Sequence, residues 1–352
     1  MKHWIKRSLW ALAGGLLALA ALLTGYVYSL DLDAEPVADR QATAAELGFG
    51  RYSGPSRGRI LAIVSSAAEL PGGGRGGFEL TELSRAWWVF IHNGFEVDIA
   101  SPAGGEPPMV LDDDLIDADY AFLNDAAAMA RLRQSLPLAA IDPGAYAAVY
   151  VVGGKGAMVD LPIDPQLARL WAGLSPEAVI GAVCHGPAAL LQARDAIGKP
   201  LLQGRRVTGF SNEEELQLIP DARQRLGFLL QDALAEQADY AFGPAFLDHT
   251  IVDGRLITGQ NPWSTWSVAT SMIEALGHVP VARPVTSEER SVALLATLHT
   301  DGLAAAISHK AALPGSDKRL LLMHGVLALL QGEWRRAWWL DRLARAPDGR
   351  AG

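Results

Sequence analysis

The sequence predicts a doubly wound α/β domain over residues 59–279, placed between an N-terminal transmembrane helix and a C-terminal helical hairpin. Three observations carry this. Short, wholly apolar runs alternate with helix-period stretches, as in a parallel sheet covered on both faces. Ser8–Leu30 contains no charged residue, and after Pro280 the periodicity is helical only. The chain divides into residues 1–30 (anchor), 31–58 (linker), 59–279 (α/β domain) and 280–352 (helical extension).

Ser8–Leu30 would make a helix about 34 Å long, enough for a hydrocarbon core of roughly 30 Å. Lys2, Lys6 and Arg7 precede it and Asp31, Asp33 and Glu35 follow it. That asymmetry puts the N-terminus in the cytoplasm. A single-pass inner-membrane protein is expected, with the α/β domain extracytoplasmic. A cleaved signal peptide would show a shorter apolar region and a small-x-small site, and neither is evident.

Within the α/β region, Arg59–Val64 reads as the first buried strand, followed by a Gly-rich loop from Pro71 to Gly77. Leu83, Ala86, Trp87, Phe90 and Ile91 then share one helical face, and Gly94 is placed to end that helix. Phe95–Ala100, Ala147–Val152 and Ala178–Val183 are further strands, the last running into a helical Pro187–Ala193. Arg206–Gly209 and a hairpin over Thr250–Thr258 add β structure, and Trp266–Leu276 is a helix. Beyond it, Ser287–Leu313 and Lys318–Arg345 read as two helices broken at Pro314-Gly315.

Composition sets limits. Half the chain is apolar and a fifth charged, which excludes a disordered or fibrous protein. A net charge of −9 argues against a nucleic-acid binder. Residues 281–352 hold ten Lys+Arg and seven Asp+Glu, so a +3 tail follows a −12 remainder. The single cysteine, Cys184, can form neither an internal disulfide nor a multi-cysteine zinc site.

Cys184 lies where a buried strand turns into a helix, in Ala178-Val-Ile-Gly-Ala-Val-Cys-His-Gly-Pro187. Ala182 and Gly186 flank it at two residues on either side, and a nucleophile elbow folds too sharply there for larger side chains. Such a turn presents the thiol at the carboxyl edge of the sheet, near a helix start whose N–H groups would favour the thiolate. The same residue also fits a buried structural cysteine.

The segment Ala182-Val-Cys-His-Gly-Pro-Ala188 resembles the DJ-1/PfpI superfamily, a class I glutamine amidotransferase-like group. The resemblance extends to Val152-Gly-Gly154, Val207-Thr-Gly-Phe-Ser211 and Asp253-Gly-Arg-Leu-Ile-Thr-Gly-Gln-Asn-Pro262. It is closest to the Hsp31-like branch and covers residues 59–279. It implies a flavodoxin-like sandwich with a cysteine nucleophile. It also implies a glutathione-independent glyoxalase (glyoxalase III, a hydro-lyase of the D-lactate dehydratase type) hydrating methylglyoxal to D-lactate. By motif position Cys184 is the nucleophile, His185 its partner, Glu215 the acidic third member and Glu82 the carboxylic acid beside the thiol. The backbone N–H groups of Gly154 and His185 would form the oxyanion hole. Many relatives carry Gly-Gly-His-Gly after the third strand, where this chain has Gly153-Gly-Lys155-Gly156, so Lys155 is a candidate pocket residue. Trp263, following Asn261-Pro262, is another.

The chemistry agrees with those roles. A 2-oxoaldehyde needs a soft nucleophile, a carboxyl group to move a proton from C1 to C2, and donors for an oxyanion, with no metal or organic cofactor. Glu82 also suits a dipole-favoured place in a helix's first turn, and Ser211-x-x-Glu214 reads as a capping box. The expected partners are a small aldehyde, the membrane through residues 8–30, and a second copy of the chain as a homodimer. Competing functions are a non-enzymatic stress, chaperone or redox-sensing module, and a peptidase or amidohydrolase.

Overall fold

A computed structural model describes residues 10, 21, 24–50, 52–111 and 115–349. The chain forms two compact units, one of residues 38–284 and one of residues 1–37 with 285–352.

The larger unit is built on a seven-stranded sheet. Its strands are β1 (Arg59–Ile63), β2 (Glu96–Ser101), β3 (Leu136–Pro137), β4 (Ala148–Val151), β5 (Val179–Val183), β6 (Thr250–Asp253) and β7 (Leu256–Gly259). The order is β6-β7-β5-β4-β1-β2-β3, parallel throughout except for the β6–β7 hairpin. Ile60–Val64, Ala148–Val152 and Ala182–Val183 are buried, as expected of strands covered on both faces. This is the flavodoxin-like arrangement. The carboxyl ends of β1, β4, β5 and β7 fall along one edge, where ligands of open α/β sheets bind.

Helix α1 (Leu80–His92) is buried from Leu80 to Phe90, on every face rather than one. It packs between the sheet, helix Asp117–Asn124 and the helix Thr265–Ala275. Arg85 is thereby taken out of water and pairs with Asp119 at 3.1 Å, both side chains essentially unexposed. Gly94 ends the helix at φ 86°, a left-handed conformation glycine adopts at little cost. Residues 38–58 also pack on this unit, with the Phe49 ring stacked on Trp88 (5.6 Å) and Trp266 (6.1 Å).

The smaller unit holds four helices after Val285, Ser287–Asp301, Leu303–Ala312, Lys318–Leu330 and Trp334–Arg345. This corrects the expected hairpin of two. The additional breaks are at Gly302 (φ 84°) and Gly332 (φ 76°), left-handed positions inside stretches whose apolar periodicity continues on either side.

The membrane expectation is corrected as well. No described helix is long and apolar enough to cross a membrane. Much of Ser8–Leu30 lies outside the described residues, and its described end is tied to charged side chains. The Tyr26 hydroxyl donates to Asp341 (2.9 Å), and Arg345 donates to the Ser29 carbonyl (3.1 Å) and hydroxyl (3.0 Å). The single-pass topology and the extracytoplasmic placement rested on that helix alone and are set aside with it.

Candidate active site

Cys184 stands at the end of β5 with φ 57°, a conformation that costs about 1–3 kcal/mol for a residue with a Cβ. The neighbouring backbone holds it there. The Cys184 N–H donates to the Gly259 carbonyl (2.9 Å), and its own carbonyl accepts from the Phe210 N–H (2.9 Å). A Cβ on Gly186 would stand 2.4 Å from the Val151 carbonyl oxygen, so only glycine lets the chain leave the turn. The elbow continues into a short 3-10 helix, Gly186–Leu190, where the sequence suggested an α-helix to Ala193.

The thiol is 4% exposed. The His185 Nδ1 lies 3.3 Å from Sγ, and its Nε2 lies 2.6 Å from the Glu215 carboxylate. Phe210 packs on the imidazole at 4.6 Å between ring centres. Burial alone would raise the Glu215 carboxyl. The charge and hydrogen bond of His185, with the charge of Lys155, bring it below the ordinary carboxylate value. Ionised, Glu215 can only accept, so Nε2 turns an N–H toward it and Nδ1 is left facing the sulfur.

Glu82, on α1, is fully buried beside the thiol. Its Oε2 accepts from the Gly153 N–H (2.6 Å), and its backbone carbonyl accepts from the Tyr150 hydroxyl (2.8 Å). Burial, then the charge and hydrogen bond of Glu82, then Glu214 and Glu215, push the Cys184 thiol well above the ordinary cysteine value. This direction opposes the expected thiolate. A short 3-10 turn supplies little dipole, and three carboxylates outweigh it.

The chain places the other expected residues as follows. Gly154 (φ 89°) and His185 bring their N–H groups to the same sheet edge as Sγ, and among the described residues neither donates to a backbone carbonyl. Lys155 is half-buried at the start of the next turn, where its charge acts on Glu215. Trp263 is half-buried with its ring edge-on to Phe246 at 5.9 Å. Sequence reasoning missed Tyr150, Phe210 and Phe246, and the burial of Glu214 near the thiol. Only Glu214 left a trace, as the third helical residue of its capping box.

A flavodoxin-like sheet thus carries a strained cysteine elbow, a histidine–carboxylate pair and a buried carboxyl beside the thiol. The chain belongs to the DJ-1/PfpI family, whose model matches residues 75–275. It is 30% identical over 239 residues to the glutathione-independent glyoxalase hsp3101 of Schizosaccharomyces pombe, covering 62% of this chain and 96% of the relative. It is 29% identical over 221 residues to the glutathione-independent glyoxalase HSP31 of Saccharomyces cerevisiae, covering 58% and 91%. The crystal structure of glyoxalase III from Candida albicans matches with a TM-score of 0.58 at 26% identity, over 63% of this chain and 98% of that one.

Proposed function

We propose that this protein is a glutathione-independent glyoxalase that hydrates small 2-oxoaldehydes, methylglyoxal to D-lactate among them, through a covalent intermediate on Cys184. The observation that carries this is Glu82, a buried carboxyl held by the Gly153 N–H and hydrogen-bonded to the thiol it would serve. A neutral thiol needs a base as it adds to an aldehyde, and Glu82 is within reach of the proton.

In the first step the Cys184 sulfur bonds to C1, the thiol proton passes to Glu82, and the aldehyde oxygen takes up a proton to give a hemithioacetal. Glu82, having relayed that proton, then removes the hydrogen on C1. The C1–C2 enediol forms, and protonation at C2 leaves a 2-hydroxyacyl thioester. Water adds to the thioester carbonyl, with His185, oriented by Glu215, accepting its proton. The Gly154 and His185 N–H groups hold the oxyanion. The C–S bond breaks, the sulfur regains a proton, and the 2-hydroxy acid leaves. The net change is addition of one water.

Two features favour this reading over its rivals. A thiol that is 4% exposed admits a small aldehyde more readily than a polypeptide. A thiol whose ionisation is opposed by burial and by Glu82 is a poorer peroxide sensor, because oxidation proceeds through the thiolate. Lys155 would contribute by holding Glu215 ionised, and Trp263 with Phe246 would form an aromatic wall. The test is D-lactate release from methylglyoxal without glutathione. Wild type releases it, and Cys184→Ala and Glu82→Gln do not. Equal release from Cys184→Ala, or none from wild type, refutes the proposal.

A further inference from the structure

Glu214 begins a helix, as its capping box implies, but its side chain is fully buried and engaged well beyond that helix. Its five hydrogen bonds all come from neutral donors. They are the Ser211 N–H (3.0 Å) and hydroxyl (2.7 Å), the Phe246 N–H (2.8 Å), and the side-chain amides of Gln260 (3.1 Å) and Asn261 (2.8 Å).

These donors belong to three separate pieces of chain. Ser211 caps the helix Asn212–Leu218, which carries Glu215. Phe246 lies in a loop that crosses the end of the β-hairpin, and its φ of 59° is a strained conformation for a bulky residue. Gln260 and Asn261 follow β7 directly, next to Gly259, whose carbonyl anchors the Cys184 N–H. The loop is fastened to the same two residues. Gln260 Oε1 accepts from the Gly243 N–H (2.8 Å), and the Asn261 amide donates to the Leu247 carbonyl (2.7 Å).

We propose that Glu214 is a positioning residue of the active site. Its carboxylate ties the helix bearing Glu215 to the strand end that anchors Cys184, and so sets the spacing between Glu215 and His185. Both oxygens face donors, so the requirement is for a group that only accepts. Glutamine has nearly the same shape, but it would turn an N–H toward one of those donors and push the helix away. A shift of a few tenths of an ångström is enough to stretch the 2.6 Å His185–Glu215 bond. The charged or titratable groups around the thiol are Glu82 from α1, Tyr150 from β4, the adjacent His185, and Glu214 and Glu215 from their helix.

The test is a four-protein cycle of wild type, Glu214→Gln, Glu215→Gln and the double variant, in the full chain. Its kinetic arm rests on the glyoxalase reading above, and its spectroscopic arm does not. In the kinetic arm, Glu214→Gln lowers kcat about 10- to 100-fold with KM little changed. In the Glu215→Gln background the same substitution costs less than about threefold, because no Glu215 remains to be positioned. In the spectroscopic arm, the short His185–Glu215 bond gives a far-downfield proton resonance that Glu214→Gln moves or abolishes, whether or not the protein turns over an aldehyde. An unchanged resonance, an unchanged kcat, or equal losses in both backgrounds overturns the proposal. Gln260→Ala removes one donor and leaves both carboxylates. It supplies the same cycle at smaller amplitude where the Glu214 variant does not fold.

Discussion

Gly153→Ala is the sharpest single perturbation of this site, because the available space can be measured. A Cβ at 153 would stand 2.6 Å from Glu82 Oε2, 2.7 Å from the Val183 carbonyl oxygen and 2.8 Å from the His185 nitrogen. Ordinary contact begins at 3.4 Å, so the deficit is 0.8 Å at the first and 0.6 Å at the last. Two of the three atoms are backbone in and beyond β5, and no rotamer change moves them. The end of β4 must back away from β5, carrying the Gly153 N–H off Glu82 and the Gly154 N–H off the oxyanion position. Overpacking of this kind costs about 1–3 kcal/mol of stability. Misplacement approaching 1 Å at reacting groups costs on the order of 100-fold in rate. Gly198→Ala is the control. Gly198 has φ 80° and no atom within 4 Å of a built Cβ. Its alanine variant loses about 1–2 kcal/mol to left-handed strain alone. Urea unfolding and D-lactate release, run on both variants, separate the two effects. Both are destabilised, and only Gly153→Ala loses turnover. Gly153→Ala with kcat within about threefold of wild type would falsify the steric argument.

Other outcomes follow from groups described above. Glu215 is depressed in the folded chain, so it contributes stability that is present above the ordinary carboxyl value of 4.5 and lost as pH falls below it. Glu215→Gln therefore flattens the acid limb of a stability–pH curve measured by urea midpoint. Lys155→Ala removes a charge that helps lower Glu215, and it raises the acid limb of kcat/KM toward neutral pH. Burial, followed by the charge of Arg336, pushes His324 in the smaller unit down from 6.5 to about 4. Its contribution is complete above 6.5 and disappears as pH falls toward 4, a dependence that His324→Leu removes in thermal unfolding at pH 4 and 7. Asp119→Ala removes an ion-pair partner of the buried Arg85 guanidinium and costs about 3–5 kcal/mol, read by chemical denaturation.

What was legible in the sequence divides along a physical line. Parallel strands buried on both faces leave continuous apolar runs, so Arg59–Ile63, Ala148–Val151 and Val179–Val183 could be read within a residue or two. The elbow could be read because small residues at 182 and 186 are a local steric demand. Long-range burial leaves no such mark. Glu214 has the spacing of a capping box and is one, yet Gln260, Asn261 and Phe246 reach it from over thirty residues away. The surroundings of the thiol are illegible for the same reason, since the carboxylates that raise it come from two other helices. Phe246 adopts a positive φ that nothing in its type announces. At the N-terminus an uncharged apolar run suggests a lipid-spanning helix, but hydropathy alone does not establish one, and no described helix is long and apolar enough to cross a membrane.

The two rims of the sheet bear on how a second copy could associate. On one side β3 is only two residues long and its second residue, Pro137, has no N–H to offer. On the other, the Asp253 side chain at the end of β6 accepts from the Arg206 N–H (2.7 Å) and the Arg205 guanidinium (3.1 Å), which places charged side chains at that rim. The β3 border thus offers little N–H and C=O ladder for sheet extension, and strand-exchange aggregation is disfavoured from that side.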